Sequence, residues 1–259
     1  MKRFIKYILN HVPRPLMQRV ADIAVPMIGL AYVGRGLECP ICGVKRRKFL
    51  PYGYVDVRDN ALCPSCLALE RHRLLWLYLE RETELFSQTP KLLHIAPEVC
   101  IMKYLKRQYA AQNQKVNYIT ADLESPLADL HFDVQQIPLA DDSMEVILCN
   151  HIMEHVADDR QAMRELYRIM KPEGWGVILS PVERDRAVTY EDDSITDPEE
   201  RNRIFGQYDH RRIYGVDYAE RLSSAGFDVE AVDYICNFTS DEQSKYALTN
   251  EVIYVVRKR

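Results

Sequence analysis

Short apolar runs separated by polar turns recur along the chain from Lys91 onward. Lys91 to Ala96 (KLLHIA), Val116 to Ala121 (VNYITA), Met144 to Cys149 (MEVILC) and Trp175 to Ser180 (WGVILS) are near-continuous hydrophobic stretches of strand length, the pattern of strands buried on both faces. Between them, Ile101 to Gln112 and Asp159 to Met170 carry helical periodicity. Asp141-Asp142-Ser143 supplies a turn, and Lys171-Pro172-Glu173-Gly174 is expected to break the chain between helix and strand. Val216 to Ala225 reads as a helix, and Phe227 to Cys236 and Glu251 to Arg257 read as strands. Strands alternating with helices predict an α/β fold, whose ligands bind where the strands end. Asp122 stands at such an end, and Asn150 and His151 leave another.

The first third of the chain is organised differently. Met1 to Val12 places Phe4, Ile5, Ile8, Leu9 and Val12 on one helical face with Lys2, Arg3 and Lys6 beside them, a pattern that fits an anionic membrane surface or a docked helix. Ile23 to Val33 is apolar but too short to span a bilayer. Cys39-Pro40-Ile41-Cys42 and Cys63-Pro64-Ser65-Cys66 then form two C-x-x-C pairs twenty residues apart, the spacing of a four-thiolate structural zinc site. Two disulfides are the alternative. The odd total of seven cysteines and the lack of a secretory leader favour zinc and the cytoplasm, with attachment at the inner face of a membrane left open by the first twelve residues. A module of this size needs such a staple, because it buries too little apolar surface alone.

Charge divides with these regions. Residues 1–81 hold 14 Lys and Arg against 6 Asp and Glu, a net of +8; residues 82–259 hold 20 against 32, a net of −12, and the two sum to the chain's −4. The basic part includes Lys45-Arg46-Arg47-Lys48 between the cysteine pairs and Arg71-His72-Arg73 after them, a group suited either to reading phosphates or to packing on acidic protein. The expected layout is an amphipathic segment over 1–34, a zinc-binding module over 35–72, a helical linker over 73–88, and an α/β domain over 89–259.

From Phe132 to Val156 the chain reads FDVQQIPLADDSMEVILCNHIMEHV, in which an acid, an apolar clip, an acidic turn, a buried strand and a His-rich exit follow one another. With Asp122 and the strands above, this segment resembles the middle of a class I S-adenosylmethionine (SAM) dependent methyltransferase of the type 11 group, and the resemblance extends over Thr89 to Arg259. It implies a Rossmann-like, mostly parallel sheet with an antiparallel last strand, and SAM as cofactor. By that resemblance Asp122 and its neighbour Leu123 would meet the ribose, Asp133 and Val134 the adenine, and Asn150 and His151 the methyl-bearing end. Where the family has an acid followed by glycines, this chain reads His94-Ile95-Ala96-Pro97-Glu98, so Ala96 and Pro97 must approach the cofactor with more bulk. Glu98 either reaches the methionine end of the cofactor or starts the next helix.

His151-Ile152-Met153-Glu154-His155 also fits H-x-x-E-H, in which two histidines on one helix share a metal. That reading is rejected, because His151 directly follows a buried strand; Glu154 and His155 are expected to fix the turn. The long connection 181–215 is the expected substrate lid, with a short helical piece at Asn202 to Ile204. It ends in Asp209-His210-Arg211-Arg212 and Tyr214-Gly215, similar to an element of type 11 sequences. His210 and Arg212, then Tyr190, Asp209 and Tyr214, are the candidate substrate contacts; an Asp209–Arg212 ion pair holding the lid is the structural alternative. His151 and His210 are the candidate general bases, needed only for a protonated acceptor. The expected acceptor is a small molecule, lipid or glycan, with RNA read by the basic module as one alternative and a SAM-binding protein without turnover as another.

Overall fold

The computed structural model describes residues 27–53 and 57–259. The amphipathic segment Met1 to Val12 and the start of the apolar run at Ile23 lie outside the described residues. The chain divides into two compact units: Met1–Leu77 with Asn237–Thr249, and Tyr78–Cys236 with Asn250–Arg259.

In the first unit, β1 (Val33–Glu38) pairs antiparallel with β2 (Lys45–Arg46), and β3 (Leu50–Tyr52) pairs antiparallel with β4 (Arg58–Leu62). Each C-x-x-C pair folds into the same knuckle. Cys39 N–H donates to Val44 O and Gly43 N–H to Cys39 O; Cys63 N–H donates to Ala68 O and Leu67 N–H to Cys63 O. The residue after each second cysteine takes the left-handed conformation, Gly43 at φ +67° and Leu67 at φ +61°. Glycine enters that region freely, whereas leucine is strained there.

Helix α1 (Glu70–Arg81) follows the second knuckle. Arg73 on it is fully buried: its guanidinium donates to the carbonyls of Asn60, Ala61, Ala68, Tyr246 and Ala247, and it lies 4.8 Å from the ring centroid of Phe49. His72 is also buried, its Nδ1 accepting from Leu69 N–H. These two members of the basic group therefore serve the interior of the unit and present no charge to a phosphate, while Arg35, Arg47 and Lys48 stay exposed. Residues Ser240–Tyr246 are helical and begin on a complete capping box of Thr239 and Glu242.

The second unit is a seven-stranded sheet. Its strands are β5 (Leu92–Ile95), β6 (Tyr118–Asp122), β7 (Leu130–His131), β8 (Met144–Asn150), β9 (Met170–Leu179), β12 (Asp228–Val232) and β13 (Ile253–Arg257), in the order β12-β13-β9-β8-β5-β6-β7. The five strands from β9 to β7 are parallel, and β13 runs antiparallel between β9 and β12, as expected of the last strand. β5 is buried at every residue and β8 at all but Glu145. Helix α2 (Val99–Ala111) follows β5, and α3 (Asp159–Ile169) precedes β9. α3 is capped by Asp158, which accepts from Gln161 N–H, and it buries Ala162, Met163, Leu166 and Ile169, the stripe of an amphipathic helix.

One expected boundary is corrected. Lys171-Pro172-Glu173-Gly174 does not separate helix from strand, because β9 already pairs at Met170 opposite Met144. Pairing resumes at Trp175 opposite Val146, so the four residues are a bulge within the strand. The connection 181–215 is built from β10 (Tyr190–Glu191) and β11 (Arg212–Ile213), which pair antiparallel, and helix α4 (Pro198–Phe205) between them. Asp197 caps α4, Pro198 occupies its first turn, and Gly206 at φ +85° ends it. Helix α5 (Tyr218–Ser223) leads into β12. Among the described residues no helix is long and apolar enough to cross a membrane.

The strained knuckle residue gives a test. Leu67→Gly removes a left-handed leucine whose cost is about 1–2 kcal/mol, and it should raise the thermal unfolding midpoint of the full chain by about 2–4 °C. A midpoint at or below wild type would show that the leucine side chain contributes more by packing than its backbone costs.

Candidate functional site

β5 and β8 are neighbours whose chains continue in opposite directions across the sheet, β6 lying beyond β5 and β9 beyond β8. This is the switch point of an open α/β sheet, where a crevice forms beyond the carboxyl ends. A continuous polar chain crosses it. Tyr118 Oη lies 2.9 Å from His94 Nδ1, His94 Nε2 lies 2.9 Å from Glu98 Oε2, and Asn150 Nδ2 donates to Glu98 Oε1 at 3.2 Å. A carboxylate only accepts, so His94 Nε2 carries the proton and Nδ1 accepts from the Tyr118 hydroxyl. Burial, and next the charge of Glu98, hold the Tyr118 phenol well above its ordinary range, so it keeps the proton it donates. Glu98 occupies the N-cap position of α2, yet its side chain makes no capping bond there and joins His94 and Asn150 instead.

The missing glycine is answered by conformation. Ala96 adopts φ +44°, the region glycine would fill, and its N–H donates to Ala121 O at 2.7 Å, drawing the ends of β5 and β6 together. Pro97 follows, partly exposed. Asp122, at the end of β6, uses one oxygen, Oδ1, to accept from Glu124 N–H and Ser125 N–H at 2.9 and 2.7 Å. That holds the loop and leaves Oδ2 for a ligand, while Leu123 is exposed beside it. Asp133 is exposed and bonded to Gln135 through both oxygens; Val134 and Ile137 are buried in the core beneath it, and Leu139 packs against that core.

At the end of β8, His151 takes φ +55° and its N–H donates to Leu179 O, which turns the chain out of the sheet. Residues 151–157 form turns and no helix, the geometry expected when the two histidines of this segment do not share a helical face. The His151 ring lies between two carboxylates, with Nδ1 3.5 Å from Glu154 and Nε2 3.1 Å from Glu251. Glu154 is buried and accepts from Ser180 Oγ at 2.8 Å. Burial opposes its ionisation, but the His151 hydrogen bond and charge prevail and keep its carboxyl below the usual range. His210 is buried, with Nδ1 3.1 Å from Phe205 O. Burial, then the neighbouring His155, lower its basicity, so the ring stays neutral.

Two expected substrate contacts are corrected. Arg212 is 3% exposed and its guanidinium is spent on Glu191 (2.9 Å) and the carbonyls of Met153, Val156 and Ala157 (2.6, 2.8 and 3.0 Å). Tyr214 is fully buried, its hydroxyl on Asp159 at 2.7 Å and Met153 O at 3.1 Å. Both side chains are bonded inside the protein and present no exposed group for a substrate to meet. The Asp209–Arg212 pair does not form either, since Asp209 faces His155 Nδ1 at 3.4 Å. Tyr190 remains partly exposed, against the ring of Phe205. Sequence reasoning missed the group that holds the connection 181–215, which is Asp159 with Arg221 (2.8 and 3.0 Å), Glu191 and Arg212. The available signal was Arg221, a charge placed between the apolar residues Tyr218 and Leu222 of a helical stretch. A groove of about 570 Å³ lined by Glu82, Glu145, Lys171 and Arg257 opens at the opposite, amino edge of β8 and takes no part in this site.

In the first unit, the four sulfurs of Cys39, Cys42, Cys63 and Cys66 gather within 4.8 Å of one another, with Cys39 to Cys66 at 3.6 Å and Cys42 to Cys63 at 3.8 Å. A tetrahedron with metal–sulfur bonds of 2.3 Å has edges of about 3.8 Å. None of the seven cysteines, all among the described residues, forms a disulfide; Cys100 and Cys149 are buried and Cys236 is exposed.

Residues 95–178 match the family described as Methyltransferase domain. A protein of Mycolicibacterium smegmatis described as a probable S-adenosylmethionine-dependent methyltransferase is 26% identical over 106 residues, which are 40% of this chain and 37% of that protein. The matched part thus spans little more than a third of that relative's length. Among solved structures, a SAM-dependent methyltransferase from Archaeoglobus fulgidus is 15% identical with a TM-score of 0.43, covering 71% of this chain and 91% of its own. An S-adenosylmethionine-dependent methyltransferase from Mesorhizobium loti is 12% identical with a TM-score of 0.42, covering 71% and 96%.

The lid anchor makes a prediction about acid. Burial works to raise the Asp159 carboxyl, but hydrogen bonds from Arg221 and Tyr214 and the charge of Arg212 outweigh it and hold it below the usual range. A depressed carboxyl stabilises the fold above its unfolded value near 4, and this contribution is lost as pH falls below that and through the folded value. Asp159→Asn should cost about 3–5 kcal/mol at pH 7 and leave less stability to lose on acidification. Denaturant unfolding of both proteins at pH 7 and pH 3 checks this; identical pH dependence would remove Asp159 as the source.

Proposed function

Because residues 95–178 are a class I methyltransferase domain of the SAM-dependent kind, we propose that the protein transfers a methyl group from SAM to a small-molecule, lipid or glycan acceptor. The observation that carries this reading is the polar chain from Tyr118 through His94 and Glu98 to Asn150, laid across the switch point with Asp122 Oδ2 open beside it. The residues present fit the cofactor. Ala96 supplies the left-handed turn that lets backbone approach it, Asp122 offers an acceptor to ribose hydroxyls, and Glu98 offers a fixed carboxylate to the methionine end. When bound, SAM supplies a methyl group already activated by the positive charge of its sulfonium.

The chain's own task is then orientation and exclusion of water. His151, held between Glu154 and Glu251 at the end of β8, is the residue we assign to orient a hydroxyl or ammonium acceptor, and it takes a proton from that acceptor only in its neutral form with Nε2 turned from Glu251 to the acceptor. The segment 181–215 closes over this edge and is fixed to the body through Arg212 and Tyr214. Its exposed Tyr190 and Tyr208 are the side chains we assign to the acceptor. Withdrawal of Arg73 and His72 into the first unit leaves the RNA reading with fewer cations than the sequence implied, and so favours the smaller acceptors.

The four cysteines fit one zinc ion with every position filled by thiolate, so the metal would hold the fold and leave no site for a reacting water. Treating the full chain with a thiol-specific mercurial should release one zinc equivalent to a colorimetric chelator. Release of none would return the cluster to plain thiols.

Calorimetric titration of the full chain with SAM tests the central proposal. Wild type should bind in the micromolar range, and Asp122→Ala should bind at least about a hundredfold more weakly, as expected when two charge-assisted hydrogen bonds are lost at about 1.5–3 kcal/mol each. Absence of binding by the wild type would end the methyl-transfer reading and leave a non-catalytic fold.

A further inference from the structure

Beside the proposed methyl-transfer edge lies a cluster of which only Glu154, as a neighbour of His151, enters the reading above. Glu154, His155 and His210 each place one ligating atom within 4.8 Å of the others. We propose that these three side chains bind a divalent first-row transition ion, separate from the cysteine cluster. The proposal stands on geometry and does not depend on methyl transfer.

The strongest observation is His210. The residue is only 7% exposed, and its Nε2 is buried with no hydrogen-bond partner. Its Nδ1 faces the carbonyl of Phe205, which only accepts, so the proton sits on Nδ1 and Nε2 presents a lone pair. A buried lone pair without a donor is costly, and it is explained if a cation occupies the space it faces. His155 repeats the arrangement. Its Nδ1 faces the carboxylate of Asp209 at 3.4 Å, and its Nε2 lies 4.0 Å from Glu154 Oε1. Its ring stands edge-on to His210, with centroids 4.7 Å apart. Glu154 completes the set, with Oε2 fixed by the Ser180 hydroxyl and Oε1 placed 4.0 Å from His155 Nε2 and 3.5 Å from His151 Nδ1, which would share it with the ion.

Each of the three ligands is thus oriented by a second group on its far side: a carbonyl behind one imidazole, a carboxylate behind the other, a hydroxyl behind the acid. Such partners fix the tautomer of metal-bound histidines and raise their donor strength. Two imidazoles and one carboxylate suit ions from manganese to zinc and leave coordination positions open. Ligand atoms around such an ion stand about 3.3 Å apart, so the set closes on it with side-chain movements of about 1 Å. His151 is not part of it, because its two nitrogens face Glu154 and Glu251. The pair of histidines named by H-x-x-E-H is therefore not the pair that meets. His155 meets His210, fifty-five positions on in the chain, brought in by the lid.

The test counts metal in the full chain after equilibrium dialysis against Zn²⁺, by mass spectrometry, for wild type, His210→Ala and Ser180→Ala. Wild type should hold one more zinc equivalent than His210→Ala, whatever the cysteine cluster holds, because both proteins share that cluster. Ser180→Ala keeps all three ligands and should bind the same equivalent with affinity reduced about 10- to 100-fold. If His210→Ala fails to fold, as judged by thermal unfolding, His155→Asn carries the same count. Equal metal content in wild type and the ligand variants would overturn the proposal, as would an unchanged affinity in Ser180→Ala.

Discussion

β5 and β8 pair in parallel over four residues each, Leu92 to Ile95 against Val146 to Cys149, with all of these side chains buried. Neither strand has a flank on which a polar group can meet water. A polar side chain inside them must be bonded in full, as His94 is at both nitrogens. Apart from Glu145 at the amino end of β8, the remaining polarity of these two strands lies at their carboxyl ends, where β6 and β9 flank the pair on opposite sides. The concentration of Glu98, Asp122, Asn150 and His151 along one edge follows from that packing requirement.

A second constraint acts where the chain leaves β8. The turn 151–157 presents carbonyls to the interior, and these need donors. Arg212 supplies three of them and Tyr214 another bond, both from the far end of the 181–215 connection. Asp159 balances the buried cations Arg212 and Arg221. The connection 181–215 is therefore anchored through the interior of the turn that carries His151, and a shift of one would be felt by the other. In such a network each member is stable only while its partners are present.

Much of the sheet could be read from the chain because strands buried on both faces leave an unbroken apolar signature. All four runs from KLLHIA to WGVILS became strands within a few residues of the expected bounds. The four cysteines were legible for a similar reason, since their spacing already encodes two knuckles. What failed were features set by partners distant in sequence. Pro172 and Gly174 read as a break, but β8 was waiting to pair with Met170 ahead of them. Arg212 and Tyr214 looked like ligand contacts because polar residues in a long connection usually face outward. Their burial depends on Asp159 and on carbonyls more than fifty residues away. Ala96 gave no sign that it would adopt a glycine conformation, which the bond to Ala121 O imposes.

Arg73 joins carbonyls at Asn60, Ala61 and Ala68 to carbonyls at Tyr246 and Ala247. The unit that gathers the cysteines is thus closed by chain that follows every strand of the sheet except β13 in sequence. At 5–20 residues per second, about ten seconds or more of synthesis separate Cys66 from that closing segment. During this interval Arg73 lacks two of its acceptors, and the knuckles must persist on local bonds alone. Biogenesis of the small unit therefore waits on synthesis of all of the large one but its last strand, although the sulfurs that define it are made first.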